Sequence, residues 1–187
     1  MSDDTPHCTE QTIRREMQTR DVRLRAAATT PAQRRAARKT LRTINRLETM
    51  AVQVYRAQWS PRLTELNRQL IAAMDNELVH QADSLSRLME YGGRPMLLRA
   101  PFYVVGWVMG RVSRMLGVRA MMRLGAWVEG KAIDHYAHLT VAMEWDPQTH
   151  EMLMRMWDDE KCHHSRWTYF LNHPDEALAP PRAEDGR

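Results

Sequence analysis

Apolar residues recur every three or four positions through four long stretches of this chain, the period of a helix with one buried face. The first stretch opens where Pro31 can occupy a first turn and runs to about Trp59, with Ile44, Leu47, Ala51 and Val54 facing inward. Ser60-Pro61 reads as the N-cap and first helical residue of the second stretch. That stretch carries Leu63, Leu66, Leu70, Ala73, Met74 and Leu88 and stops at Gly92-Gly93. The third covers about residues 118–144, and Asp146-Pro147 repeats the start signal for a fourth that Pro174 closes. No segment alternates with the period of a half-buried strand, so the expected fold is all-α, a four-helix bundle. Residues 1–30 read as a weakly ordered basic segment, 31–173 as the helical domain and 174–187 as a polar tail.

Six polar residues interrupt the apolar stripes in a pattern. Glu48 sits on the first, Glu77 and His80 on the second, Glu129 on the third, Glu160 and His163 on the fourth. Each Glu-x-x-His pair has the same frame, Asp75-x-Glu77-x-x-His80 and Asp158-x-Glu160-x-x-His163, and each lone Glu is followed seven residues later by a tyrosine, Tyr55 or Tyr136. The copies are offset by 81 and 83 residues, so the chain reads as one helical hairpin written twice. Residues three apart share a helix face, which lets a Glu and its His address one metal; residues seven apart nearly coincide in azimuth, which puts both tyrosines beside the site.

Four carboxylates and two imidazoles contributed by four helices form the ligand set of a carboxylate-bridged di-metal site in a ferritin-like bundle. Oxygen and imidazole donors without thiolate suit iron or manganese. Buried carboxylates are costly unless cations or protons neutralise them. A single Glu-x-x-His is most often a solvated pair; two in one frame, each preceded by a glutamate on an apolar stripe, favour metal. His164 also shares a face with Glu160, but the match to His80 selects His163. Asp75 and Asp158 are candidates to accept a ring N–H from a liganding histidine. Cys162 lies nearly opposite Glu160 on the helical wheel.

Between the second and third helices, Arg94-Pro95 through Gly117 is rich in Met, Leu, Val and aromatics but carries Arg99, Arg111 and Arg114. A ferritin-like fold needs one long crossover there, and the apolar character with basic flanks further suggests an interfacial helix dipping into a membrane. Its longest uncharged run, Ala100–Gly110, is too short to span a bilayer. Charge sharpens this picture. The net +4 conceals a local excess of nine positive charges between Gln11 and Arg46, which suits an anionic surface as well as a solvated helix face. Two cysteines, Cys8 and Cys162, give no disulfide framework and fit a reducing compartment. Asp3 and Asp4 with no apolar core speak against a secretory leader, and the same acids against a mitochondrial transit peptide.

Taken together these residues resemble the demethoxyubiquinone hydroxylase family, the di-iron monooxygenases of ubiquinone biosynthesis, over roughly residues 40–165. The resemblance rests on Glu48-x6-Tyr55-x2-Gln58, the Asp-x-Glu-x-x-His at 75–80, Arg94-Pro95 and the apolar arm, Val128-Glu129 with His135-Tyr136, and Asp159-Glu160-x-x-His163-His164. It implies a ferritin-like bundle with an apolar interfacial arm, two iron ions held by Glu48, Glu77, His80, Glu129, Glu160 and His163, and O2 as co-substrate. It also implies a lipophilic quinone substrate beside His135 and Tyr136, and NADH as electron source. No Gly-rich dinucleotide motif follows a strand, so electrons are expected through the quinone or a partner.

The expected location is peripheral on the inner face of a bacterial cell membrane, or on the matrix face of the inner membrane in a mitochondrion. Other ubiquinone-biosynthesis proteins and a second copy of the chain are candidate partners; nucleic acid is not expected. The chain departs from the family at Asn45-Arg46-Leu47, where Asp-His-Ala-Gly is usual. It departs again at Arg111 and Arg114, where the arm is usually smoother, and in a polar stretch from Asp175 where members continue into an apolar helix. Two other classes share the ligand set: a ferroxidase or iron-handling protein, for which the arm has no purpose, and a tRNA-modifying di-iron monooxygenase, which the basic segment would serve.

Overall fold

The computed structural model describes residues 19–95 and 99–181, and among these every regular element is helical. Helix α1 (Pro31–Gln58) opens with a capping box in which the Thr30 hydroxyl accepts from the Gln33 amide and the Gln33 side chain returns to Thr30. Helix α2 (Glu65–Glu90) begins later than the Ser60-Pro61 signal suggested. Its N-cap is Thr64, and the buried Asn67 amide gathers the Ser60 hydroxyl, the Arg62 carbonyl and the Thr64 hydroxyl into a tight turn. Leu63, expected inward, is therefore in that turn and exposed. Gly92, with φ +70°, ends α2 in the left-handed region that favours glycine.

Helix α3 (Ala100–Met115) is the arm, and Gly117 turns it into α4 (Val118–Val141). Asp146 caps α5 (Pro147–Asn172) by accepting from the Thr149 amide, with Pro147 in its first turn. A short α6 (Pro174–Leu178) follows; it buries Ala177 and is tied to the start of α2 by the Glu65 amide bonding to the Ala179 carbonyl at 2.8 Å.

Two hairpins, α1/α2 and α4/α5, face each other, and α3 crosses between them lying on α1. That is the ferritin-like helical bundle, with a long crossover where the sequence placed one. The crossover lies close because its inner face has almost no side chains. Gly106, Gly110 and Ser113 are buried against α1, while Tyr103, Val104, Val105, Trp107, Val108 and Val112 point outward and are exposed. Short 3-10 turns at Thr19–Asp21 and Arg25–Ala28 precede α1. There Arg25 is buried, its Nε 2.6 Å from Glu90 and its Nη groups donating to Asp146 and Gln148, which pins the segment across the end of both hairpins.

The interior has three layers. One apolar cluster around Leu41, Ile44, Leu88, Tyr136, Leu153 and Met156 closes one end. Another around Val54, Tyr55, Leu70, Met122, Trp167 and Phe170 closes the other. Between them lies a belt of buried polar side chains.

Candidate metal centre

That belt contains all six predicted ligands. Glu48 on α1, Glu77 and His80 on α2, Glu129 on α4, and Glu160 and His163 on α5 are at most 5% exposed. They form two overlapping groups. Donor atoms of Glu48, Glu77, His80 and Glu160 lie within 4.8 Å of one another, and so do those of Glu77, Glu129, Glu160 and His163. Glu77 and Glu160 belong to both groups and stand between the two positions, while each lone glutamate and each histidine serves one. The approximate twofold relation of the sequence is thus repeated in space.

What the donor atoms lack is as informative as where they lie. Both oxygens of Glu77, both of Glu160, and Nδ1 of His80 and of His163 are buried with no hydrogen-bond partner. Buried polar atoms are almost always paired, and four buried carboxylates without compensation would cost many kcal/mol. The unpartnered atoms all face one interior space: His80 Nδ1 is 3.3 Å from Glu160 Oε1 and 3.6 Å from Glu77 Oε2. His163 Nδ1 is 3.3 Å from Glu77 Oε1 and 3.7 Å from Glu129 Oε1. Oxygen and imidazole donors converging in this way fit two cations of the iron or manganese type.

The groups around the cluster hold it in place. Each tyrosine reaches across to the other repeat: the Tyr136 hydroxyl donates to Glu48 Oε1 at 2.5 Å, and the Tyr55 hydroxyl donates to Glu129 Oε1. Tyr55 in turn accepts from Trp167 Nε1 at 3.1 Å, with the two rings stacked at 5.6 Å. His80 Nε2 lies 3.0 Å from Asp159 Oδ2, and His163 Nε2 lies 3.0 Å from the Asn76 amide. These partners replace the expected Asp75 and Asp158. Both of those aspartates are exposed, and Asp158 pairs with Lys161 instead. Residue 159 sits about 100° further round α5 than 158, on the side that faces α2. His164 packs beside Gly130, away from the carboxylates. Cys162 is half-buried on α5, and Cys8 lies outside the described residues.

Burial sets the electrostatics. It pushes Glu48 and Glu129 well up from the usual carboxylate range and Glu77 up as well, with the Glu77 charge adding at Glu48 and the Glu160 charge adding at Glu77 and Glu129. The two histidines diverge. Burial opposes charge on both, but at His80 the hydrogen bond to Asp159 and the nearby Glu160 and Glu77 carboxylates outweigh it and hold the ring well above its ordinary value. At His163 burial prevails over the attraction of Glu160, helped by the charges of His80 and Arg166, and lowers the ring to about 4. Raised carboxyl pKa values of this kind couple cation binding to proton release.

His135 stands one residue outside this layer. It is half-buried, with Nε2 lacking a partner and its ring edge-on to Tyr136 at 6.4 Å. Burial lowers its pKa, with the His138 charge adding.

Residues 35–166 match the family described as Ubiquinone biosynthesis protein COQ7. Among curated proteins the chain is similar to a 3-demethoxyubiquinol 3-hydroxylase of Legionella pneumophila (strain Lens), 30% identical over 118 residues, covering 62% of this chain and 55% of the relative. A protein of the same description from Polaromonas naphthalenivorans (strain CJ2) is 32% identical over 120 residues, covering 63% and 57%. One from Cupriavidus taiwanensis is 33% identical over 126 residues, covering 62% and 57%. The chain thus spans little more than half the length of these relatives, and the matched stretch runs from α1 into α5, taking in all six cluster residues.

Proposed function

The chain belongs to the family of Ubiquinone biosynthesis protein COQ7, and we propose that it is an O2-dependent di-iron monooxygenase that hydroxylates a prenylated benzoquinone, demethoxyubiquinone. The observation that carries the reading is the set of six buried, unpartnered donor atoms on Glu77, His80, Glu160 and His163, flanked by Glu48 and Glu129. Glu48, Glu77, His80 and Glu160 would hold one iron, and Glu77, Glu129, Glu160 and His163 the other. Bound there, iron would supply the reductive activation of O2 that a ring hydroxylation requires, with NADH as the ultimate source of electrons.

The chain's own groups prepare that chemistry. Tyr136 and Tyr55 each donate to one oxygen of a lone glutamate, Glu48 and Glu129, and so fix its carboxylate in the belt. Asp159 fixes the His80 tautomer by accepting from Nε2, which leaves the Nδ1 lone pair to face the cluster. Asn76 steadies the His163 ring from behind, its amide nitrogen 3.0 Å from Nε2. The two apolar clusters exclude water from the belt. His135, with a free ring nitrogen beside Tyr136, is the group assigned to meet a quinone oxygen.

A prenylated quinone resides in a bilayer, and the outward face of α3 suits one. Val104, Trp107, Val108 and Val112, with Trp127 of α4, are exposed; Arg111 and Arg114 lie along the same arm and Arg119 at the start of α4. Such a face would lie in the membrane interface with its arginines at headgroups. Among the described residues no helix is long and apolar enough to cross a membrane. We assign the protein to the inner, cytoplasmic face of a bacterial membrane, with other ubiquinone-biosynthesis proteins or a second copy of itself as partners.

The test is rescue of ubiquinone synthesis in a strain lacking its demethoxyubiquinone hydroxylase, read by lipid mass analysis. The chain should restore ubiquinone and remove the demethoxy precursor. A V104S/W107S/V108S variant should bind anionic liposomes less and convert less precursor while keeping its iron. Iron-loaded protein that oxidises ferrous iron yet leaves the precursor untouched would overturn the assignment in favour of a ferroxidase.

A further inference from the structure

The two halves of the cluster are related residue by residue, yet their supports differ in charge. An offset of 83 carries Glu77 onto Glu160, His80 onto His163 and Asn76 onto Asp159. Each histidine backs onto the residue from the other repeat, at the same 3.0 Å: His80 onto the Asp159 carboxylate, His163 onto the Asn76 amide. Resting on the di-iron reading above, we propose that the two metal positions are inequivalent: the His80 position binds iron tightly and fills first, and the His163 position binds weakly and fills last.

Three differences point the same way. A carboxylate behind an imidazole makes a charge-assisted bond that fixes the tautomer and raises the basicity of the opposite nitrogen, whereas an amide only orients the ring. Asp159 therefore strengthens His80 as a donor in a way that Asn76 cannot match at His163. The second difference is Arg166, one turn beyond His163 on α5, whose positive charge acts on Glu129 and on His163. The residue related to Arg166 by the same offset is Asp83, three positions after His80, which is engaged by Arg155 at 2.7 Å. The third lies at the tyrosines. Tyr55 accepts from the Trp167 N–H while it donates to Glu129, and such a chain polarises the hydroxyl into a stronger donor that draws charge from the carboxylate. Tyr136 donates to Glu48 with only the Met156 sulfur, at 3.5 Å, as its second neighbour. The ligand types are otherwise equal at the two positions, so the supports decide: more negative charge at His80, less at His163.

The experiment is an anaerobic titration of the metal-free full-length protein with ferrous iron against a competing chelator, repeated with cobalt(II) as a spectroscopic probe. Wild type should show two constants separated by tenfold or more, and Mössbauer spectra at one iron per chain should contain one dominant ferrous doublet. Outer partners of this kind typically change metal affinity about 10–100-fold. Asp159→Asn should weaken the tight site by that factor and bring the two constants together, and Asn76→Asp should tighten the weak one. Both changes are isosteric, and circular dichroism checks that both variants fold. Two indistinguishable constants in wild type, or variants that move both constants equally, would overturn the inequivalence and leave the di-iron reading standing. Failure of the wild type to take up iron, or uptake unaffected by Glu129→Ala, would overturn both.

Discussion

Replacing Gly106 by alanine tests the placement of α3 most directly. A Cβ at Gly106 would stand 2.2 Å from the Met50 carbonyl oxygen and 3.1 Å from Gln53 Cβ. A close C···O approach is about 3.3 Å, so α3 must retreat from α1 by roughly 1 Å. The obstacle is backbone in the middle of a long helix packed on both sides, and no side-chain rotation relieves it. Overpacking of this kind costs about 1–3 kcal/mol, and the better helix propensity of alanine returns about 1 kcal/mol. The net loss of up to about 2 kcal/mol lowers Tm by up to about 4–8 °C in a chain of this length. Gly110→Ala meets the Val54 carbonyl oxygen at 2.4 Å and Ala57 Cβ at 2.8 Å, and should behave alike. The double variant should fall short of additivity, because one retreat of the arm relieves both clashes. Gly130→Ala is the control, since its Cβ would find the His164 ring at an ordinary 3.6 Å and should gain stability from propensity alone. Thermal unfolding by circular dichroism and hydrogen exchange over residues 100–115 supply the readouts. If Gly106→Ala raised Tm as Gly130→Ala does, α3 would not lie on α1 by its glycine face, and the apolar face assigned to the membrane would not be the outward one.

Two further predictions concern the cluster. Glu129→Ala and His163→Ala should each remove most bound iron, measured per chain, while the helical spectrum persists, and His164→Ala should lose far less. A reversed order for the two histidines would put α5 out of register by one residue. The metal-free protein should lose stability as pH rises. Glu48, Glu77, Glu129 and His80 all have folded pKa values above their unfolded ones, so their contribution is complete below about pH 4 and is lost as pH climbs through the raised values. His163, depressed to about 4, works oppositely: its contribution is present above about 6.5 and lost as pH falls toward 4, and His135, lowered by burial, acts in the same sense. Thermal scans with chelator should therefore give a higher Tm near pH 5.5 than near pH 8, and iron should bind more tightly at the higher pH as it displaces those protons. A metal-free Tm that rises with pH across this range would mean that the carboxyls are already ionised in the fold.

The polar belt was legible because everything that defines it is local to one helix. Three-residue spacing puts Glu77 with His80 and Glu160 with His163 whatever else the chain does, and the apolar stripes fix which way those faces point. Repetition then did what a single motif cannot, since the copy at 77–80 decides between His163 and His164. The supports were not legible, for a physical reason. Whether Asp158 or Asp159 meets His80 depends on the rotation of α5 against α2, and whether Tyr55 serves Glu48 or Glu129 depends on the axial shift between hairpins. Neither quantity is written in any one helix. The start of α2 failed differently: Ser60-Pro61 is a good local signal, but Asn67 holds Ser60, Arg62 and Thr64 in a turn that delays the helix by a few residues. The arm shows the same division. Its apolar composition was plain, but its inner face is marked by what is missing, glycines four apart and a serine, and such gaps read as weak helix until a backbone carbonyl is found 2.2 Å from where a side chain would be. The internal repeat carries information past this limit. Because Asn76 and Asp159 occupy equivalent positions, whatever packing joins one to a histidine must join the other to its counterpart. The only freedom left is chemical, an amide on one side and a carboxylate on the other, and on that difference the proposed inequivalence of the two metal positions rests.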